Sequence, residues 1–158
     1  MRRHLIVGLV TACSSARPAP TSAAVWGTPE KTMVLGLEAN GETVTAFLKN
    51  RGAQPQRVIA KGVQLKLERA GWVVEVFDHS GPTHLDRDES FVAIPPGDQL
   101  AIPIDLGTRA RQIVGTGGGR AIDPGTYTVT ASYNATTAAA GAWWSGVLEA
   151  GPVTVQIR

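Results

Sequence analysis

Ile122-Asp-Pro-Gly-Thr-Tyr-Thr-Val-Thr-Ala-Ser-Tyr133 is the stretch that decides the fold of this chain. It opens with a turn sequence, Asp123-Pro124-Gly125, in which proline pre-sets φ for a turn and glycine accepts a positive φ. Strict alternation follows, with hydroxyl side chains on one face and the side chains of Tyr127, Val129, Ala131 and Tyr133 on the other. A period of two predicts a half-buried β-strand that the chain enters through a tight turn.

The same alternation recurs throughout the chain and predicts about nine or ten short strands with almost no helix. Apolar residues alternate over 33–37, 44–48, 63–67 and 100–106, and Asn40-Gly41 is a strong hairpin signal between the first two segments. Trp72 begins another alternating run, and its central place in the chain predicts a buried core tryptophan. Pro103 lies inside the 100–106 run, and because proline cannot donate to a strand ladder, this run is predicted to be an edge strand or to contain a bulge.

Three short motifs carry a resemblance to a known fold: Asn50-Arg-Gly52, Ile94-Pro-Pro-Gly97 and Asp123-Pro-Gly-Thr-Tyr127. With the alternating strands, they resemble bacterial immunoglobulin-like and fibronectin type III-like domains, with a more distant similarity to proteinase inhibitor domains of the BsuPI type. The resemblance implies an all-β, antiparallel, immunoglobulin-like sandwich. It also implies a structural role for Tyr127, whose hydroxyl would anchor a tyrosine corner. Fold similarity alone does not specify a function.

The charge balance excludes a nucleic-acid-binding protein. The full chain has 15 Lys and Arg against 13 Asp and Glu, a formal net charge of +2. Removing a signal peptide that contains Arg2 and Arg3 leaves 13 against 13. Charges of both signs are interspersed along the rest of the chain, whereas nucleic-acid binding needs a clustered basic surface.

The N-terminus reads as an export signal followed by an anchor. A basic start, Met1-Arg-Arg-His4, precedes the apolar run Leu5–Ala12, which is too short to span a bilayer. Val10-Thr-Ala-Cys13 ends the run and resembles a bacterial lipoprotein signal. The resemblance implies cleavage before Cys13 and diacylglycerol, with palmitate-type acyl chains, on that residue. The alternative is an ordinary secretory signal cleaved after Ala16 or Ala19.

These features divide the chain into three parts: a signal peptide over 1–12, a lipidated Cys13 with a flexible linker over 13–31, and the sandwich domain over 32–158. The linker is rich in small residues and proline, and its roughly 17 residues reach about 60 Å at full extension. The predicted location is the cell envelope, on the outer membrane and facing the periplasm. Lipid on Cys13 would hold the protein at the membrane.

One polar segment, residues 78–90, is a candidate metal site. It contains His79, His84 and Asp86, and imidazole and carboxylate groups are common ligands of zinc and other divalent cations. Their spacing matches no established metal motif, and a solvated loop with aspartates at its turns explains the same residues. The sequence therefore predicts no bound metal or other cofactor, with this loop as the alternative.

The sequence predicts a non-enzymatic protein, since it contains no Gly-x-Ser-x-Gly elbow and its single cysteine is assigned to the anchor. Trp143 and Trp144 are candidate partner contacts. Neighbouring residues of a strand point to opposite faces, so one ring should be buried and the other exposed. An exposed ring close to Trp26 or Phe47 would form a recognition patch; a covering loop is the alternative.

Three hypotheses about function follow from these residues. The first is a lipid-anchored envelope protein whose immunoglobulin-like domain binds a protein partner or has a structural role, through loops or a strand edge. The second is a proteinase inhibitor that uses a protruding loop such as Gly107–Arg120. The third is a metal-binding lipoprotein that uses His79 and His84.

Overall fold

The computed structural model describes residues 23–60, 62–77, 91–107, 122–135 and 144–158. Within these residues the chain forms ten β-strands: β1 (Val25–Trp26), β2 (Met33–Asn40), β3 (Thr43–Asn50), β4 (Gln56–Ile59), β5 (Val63–Arg69), β6 (Trp72–Phe77), β7 (Phe91–Ile94), β8 (Gln99–Asp105), β9 (Gly125–Asn134) and β10 (Val147–Ile157).

The strands form two four-stranded sheets and one two-stranded ribbon, and all pairs are antiparallel. Sheet 1 has the order β1-β2-β3-β8, sheet 2 has the order β10-β9-β5-β6, and the ribbon is β4-β7. Strands β2, β3 and β8 take the places of A, B and E in an immunoglobulin-like sandwich, and β5, β9 and β10 those of C, F and G. The predicted all-β antiparallel sandwich is confirmed.

The core lies between the two sheets and is built from the alternating apolar residues. The inward faces predicted over 33–37, 44–48, 63–67 and 127–133 are buried, and so are Ile102 and Ile104 of β8. Each fully buried Leu, Ile or Val contributes about 1.5–3 kcal/mol through the removal of apolar surface from water. The largest enclosed side chains include Tyr133, Met33, Leu35, Leu37, Leu48, Leu65, Leu67 and Leu148.

The turn that opens β9 has the hydrogen bond that a tyrosine corner requires. The Tyr127 hydroxyl donates to the carbonyl oxygen of Asp123 at 2.7 Å. Arg69, at the end of β5, donates from Nη1 to the carbonyl oxygen of Pro124 at 2.6 Å, and its guanidinium lies 5.8 Å from the centre of the Tyr127 ring. These contacts tie the β5–β6 hairpin to the start of β9.

Asn50 joins the end of β3 to the ribbon, and its side chain is fully buried. Its Nδ2 donates to the carbonyl oxygens of Gln54 at 2.8 Å and Ile94 at 3.0 Å, while its Oδ1 accepts from the Gly52 N–H at 2.9 Å. The buried amide is therefore well satisfied, as a buried polar group must be. This arrangement explains the Asn50-Arg-Gly52 motif.

Tyr133, at the far end of β9, holds the other strand of the ribbon. Its hydroxyl accepts from the Ile59 N–H at 3.0 Å and donates to the Ile59 carbonyl oxygen at 3.1 Å. One side chain thus satisfies both backbone groups of a buried residue of β4. The two tyrosines of the opening stretch therefore fix the two ends of the same strand.

Two sequence-based predictions need correction, the burial of Trp72 and the end of the linker. Trp72 was predicted to be a core residue, but it is 59% exposed. It is the first residue of β6, directly after the hairpin turn, and only Val74 and Val76 farther along the same face reach the core. The linker predicted over 13–31 is also too long, because β1 pairs with β2, Gly27 and Glu30 contact β10, and Lys31 bonds to the residue Ser145 shortly before β10. These residues belong to the folded domain.

Candidate functional site at the edge of sheet 2

The edges of the sheets are the first place to look for a binding site, because an edge strand presents backbone groups that can pair with another chain. Within the described residues, the two four-stranded sheets have four such edges: β1 and β8 on sheet 1, and β10 and β6 on sheet 2. Natural proteins protect edges with very short strands, proline, charge, bulges or a covering segment. Three of the four edges are very short, carry a proline or are covered, and the fourth, β6, has one charged residue, Glu75, as its only such protection.

Sheet 1 is protected at both edges. On one side β1 contains only two residues, Val25 and Trp26. On the other side β8 carries Pro103, which lies opposite Thr45 of β3 and has no N–H to offer an incoming strand. The edge position predicted for the Pro103 strand is confirmed, because β3 is the only strand that pairs with β8 within the described residues.

The β10 edge of sheet 2 is covered by the segment 27–31, here called the N-terminal arm. Glu30 accepts the Val147 N–H through Oε2 at 3.1 Å, and Lys31 donates from Nζ to the Ser145 carbonyl oxygen at 2.7 Å. Gly27 lies so close to β10 that a Cβ atom there would overlap the carbonyl oxygen of Glu149. The arm therefore occupies the first part of this edge.

The second part of β10 is interrupted rather than covered. The pairing register with β9 shifts between Ala150 and Val153, at Gly151-Pro152. A bulge twists an edge away from an incoming strand, and proline removes a donor from it. Together with the arm, these features make the β10 edge a poor template for strand addition.

The β6 edge differs from the other three. Its sequence, Trp72-Val-Val-Glu-Val-Phe77, contains no lysine, proline or glycine, and β5 is the only strand that pairs with it in the part of the chain that the structure describes. Trp72 is 59% exposed and Val73 is 49% exposed, the highest values among the large apolar side chains of the described residues. This edge combines strong β-formers with exposed apolar surface.

The hairpin that carries β6 is firmly positioned. Ala70 and Gly71 have φ values of 47° and 81°, and Arg69 pairs with Trp72 across them. Positive φ at both central residues is typical of a type I′ turn, whose twist matches that of the flanking strands. Because Arg69 is also bonded to Pro124, the exposed β6 edge is presented on a fixed support.

A second aromatic group lies on the outer face of sheet 1. The Trp26 ring packs on Gly36, where a Cβ atom would lie 2.7 Å from it, and its centre is 6.3 Å from that of Phe47. The Lys49 ammonium lies 5.7 Å from the Trp26 ring centre. Trp26 is 40% exposed, so part of this ring faces solvent, but its contacts are those of a side chain that covers the sheet.

Trp144, predicted as a partner contact, is a core residue and that prediction is wrong for it. The side chain is 5% exposed, and its ring centre lies 6.0 Å from that of Tyr133. It is not a neighbour of the Trp26 and Phe47 pair, because it packs at the Tyr133 end of β9. Its indole Nε1 is buried without a hydrogen-bond partner among the described residues.

A groove of about 840 Å³ runs over the outer face of sheet 2, beside the N-terminal arm. Eight of its fourteen lining residues are polar or charged, and all four strands contribute, with Lys66, Glu75, Thr130, Ser132 and Glu149 among the contributors. Small-molecule pockets are mostly apolar with a few polar groups. The composition of this groove instead matches the solvated face of an antiparallel sheet.

Several predicted site residues lie outside the described residues. They are Cys13, His79, His84, Asp86 and Trp143, together with nearly all of the Gly107–Arg120 loop. Lipidation, metal binding and loop-mediated inhibition therefore remain predictions. In the described ranges, no three His, Cys, Asp or Glu residues are grouped in a way that could hold a metal ion.

No protein-family model, curated protein or solved structure matches this chain. The described ranges contain no helix that is long and apolar enough to cross a bilayer.

The β6 edge was missed by sequence reasoning, although a signal for it exists. Residues 72–77 carry apolar side chains on both faces, which is compatible with either a central strand or an uncovered edge. The absence of lysine and proline favours a strand that pairs with another strand. Only the strand order shows that the described chain supplies one neighbour, β5, and not two.

Proposed function

We propose that this chain is an exported, lipid-anchored binding module of the cell envelope, which acts through its sandwich domain and not as an enzyme. The observation that carries the proposal is the β6 edge, with Trp72 and Val73 exposed on a strand that has no protective residue apart from Glu75. Main-chain hydrogen bonds to an added strand would supply affinity, and the exposed side chains would supply specificity.

A lipid anchor at the N-terminus is compatible with binding through the β6 edge. Lipid on Cys13 would hold the N-terminus at the membrane, and the folded domain begins near Val25. The connecting residues 14–24 reach about 40 Å at full extension. This length lets the domain stand away from the bilayer and turn its β6 edge toward another protein.

Membrane fractionation of the wild-type chain and the Cys13→Ser variant tests the anchor. We expect wild-type protein in the membrane fraction with an acyl label on it, and the variant without label and released by salt or carbonate washing. Retention of the unlabelled variant in the washed membrane would contradict lipid anchoring.

Site-specific photo-crosslinking in the native envelope tests the binding role. A photoreactive residue at position 73 should give a discrete crosslinked product. The same residue at position 147 is the matched control, since Val147 is similarly exposed at 41% but lies on the covered edge of the same sheet. Equal products from both positions, or no product from position 73, would overturn the assignment of the β6 edge.

A further inference from the structure

We infer that the partner of the β6 edge is a second copy of this chain, paired antiparallel through β6 about a two-fold axis at Val74. This inference rests on the proposed binding role and names its partner. The pairing would join two copies of sheet 2 into one eight-stranded sheet. An isologous contact of this kind closes at two subunits and gives a defined dimer.

Symmetry limits how two β6 strands can pair. A two-fold axis perpendicular to the sheet leaves inward-facing side chains on the inner face in both copies. A residue of one copy can therefore lie opposite only a residue of the other copy whose side chain points to the same face. The axis must therefore pass at a residue, and within the central part of β6 it can pass at Val73, Val74 or Glu75.

Charge and strand length select Val74 from these three. An axis at Glu75 places two carboxylates directly opposite each other, which is destabilising. An axis at Val73 moves Gly71 into the pairing, but Gly71 has a φ of 81° and belongs to the turn. An axis at Val74 pairs residues 72–76, all of which lie within β6.

The Val74 register also places the exposed apolar residues well. Trp72 lies opposite Val76 of the second copy on the inner face, and Val73 lies opposite Glu75 on the outer face. Trp72 thereby continues the row of inward-facing apolar residues that Val74 and Val76 form on β6. The register gives each exposed apolar side chain of β6 a cross-strand neighbour.

Membrane attachment would favour this dimer. Five residue pairs make a small interface, so we expect weak self-association in free solution. Two chains held at one membrane surface have a higher effective concentration than free chains. The higher concentration increases the dimer population although no further contact is made.

Sedimentation velocity of the full chain in detergent tests the pairing, with Val73→Glu as the disrupting variant and Val147→Glu as its matched control. We expect a monomer–dimer equilibrium for the wild type. Val73→Glu should raise the dissociation constant about tenfold, since the register places position 73 opposite Glu75 of the second copy twice in the dimer, and like charges directly opposite each other are destabilising. Val147→Glu should change it less than about twofold, because that edge is already covered. Thermal melting checks that both variants fold.

Two outcomes would overturn the inference. One is a wild-type chain that stays monomeric up to about 1 mM, a concentration typical of tethered modules. The other is equal weakening of the dimer by Val73→Glu and Val147→Glu. A monomeric chain that is nevertheless photo-crosslinked from position 73 to a protein of different mass would contradict the second copy while leaving the proposed binding role intact.

Cysteine crosslinking tests the register. In a Cys13→Ser background, chains with Val73→Cys and chains with Glu75→Cys are oxidised separately and as a mixture. The register predicts a disulfide-linked dimer mainly in the mixture, because position 73 lies opposite position 75. A dimer formed chiefly by Val73→Cys chains alone, or by Glu75→Cys chains alone, would overturn the axis at Val74.

Discussion

The two edges of sheet 2 differ although they belong to one sheet in one small domain. At β10, the arm residues Gly27, Glu30 and Lys31 lie against the strand, and Gly151-Pro152 interrupts the rest. At β6, Trp72 and Val73 are exposed and β5 is the only strand neighbour within the described ranges.

The difference shows that edge protection in this fold is local and not a general property of the surface. Sheet 1 is also protected at both of its edges, so β6, with Glu75 alone, is the least protected of the four described edges of the two four-stranded sheets. Strand edges with little protection tend to pair with other strands. We therefore interpret the β10 edge as structural and the β6 edge as the surface for the proposed binding.

The largest effect should come from opening the covered edge with Gly27→Val. A side chain at this position overlaps the Glu149 backbone, so the arm must move away from β10. We expect a loss of about 2–3 kcal/mol in the free energy of unfolding, typical of overpacking at a close contact. Urea titration measures it.

Gly71→Asn is the control for the uncovered edge. A Cβ atom at Gly71 meets nothing within 4 Å, and asparagine tolerates the positive φ of 81°. We expect a change below about 0.5 kcal/mol. Equal losses in the free energy of unfolding for Gly27→Val and Gly71→Asn would mean that the arm does not make the β10 edge different from the β6 edge.

Trp26→Ala should have the next largest effect. This tryptophan is on β1, directly before the arm, and packs on Gly36 and Phe47. Because part of the ring is exposed, we expect a loss of about 1.5 kcal/mol, less than for a fully buried aromatic residue. Chemical denaturation with a probe other than tryptophan fluorescence gives the value, and an unchanged midpoint would contradict packing of β1.

Tyr127→Phe should cost about 1 kcal/mol, the usual net value of one intramolecular hydrogen bond. The change removes the hydroxyl that donates to Asp123 and keeps the ring beside Arg69. The thermal midpoint reports this loss. Stability equal to that of the wild type would show that the hydrogen bond from Tyr127 to Asp123 does not stabilise the corner.

Trp72→Ala should have the smallest effect on the stability of the monomer, below about 0.5 kcal/mol, because most of this side chain is already in water. It is compared with Trp26→Ala at the same dilute protein concentration. A larger loss for Trp72→Ala than for Trp26→Ala would mean that Trp72 is covered in the folded monomer, and the contrast between the edges would fail.

The sequence predicted the strands well, because the pattern that forms them is local. Alternation over 33–37, 44–48 and 127–133 requires only that one face be buried, and Pro103 marks an edge through its missing N–H. Tyr127 could be placed because the turn before it lies within four residues of the hydroxyl that bonds to it.

The site could not be predicted in the same way, because it depends on which strands are neighbours. Trp72 has the sequence context of a core residue, and only its place at the start of an edge strand exposes it. The arm has the composition of a linker, yet contacts with residues 145–150, more than a hundred positions away in the chain, hold it in place. Such long-range contacts leave no local sequence pattern.

Amide hydrogen exchange at several protein concentrations tests the central contrast between the two edges most directly. At low concentration, the β6 amides that point away from β5 should exchange faster than the amides at residues 147–150 of β10, and raising the concentration should protect them while β10 stays unchanged. Slow, concentration-independent exchange of these outward-pointing amides would contradict the account, because it would show an edge already covered in the monomer.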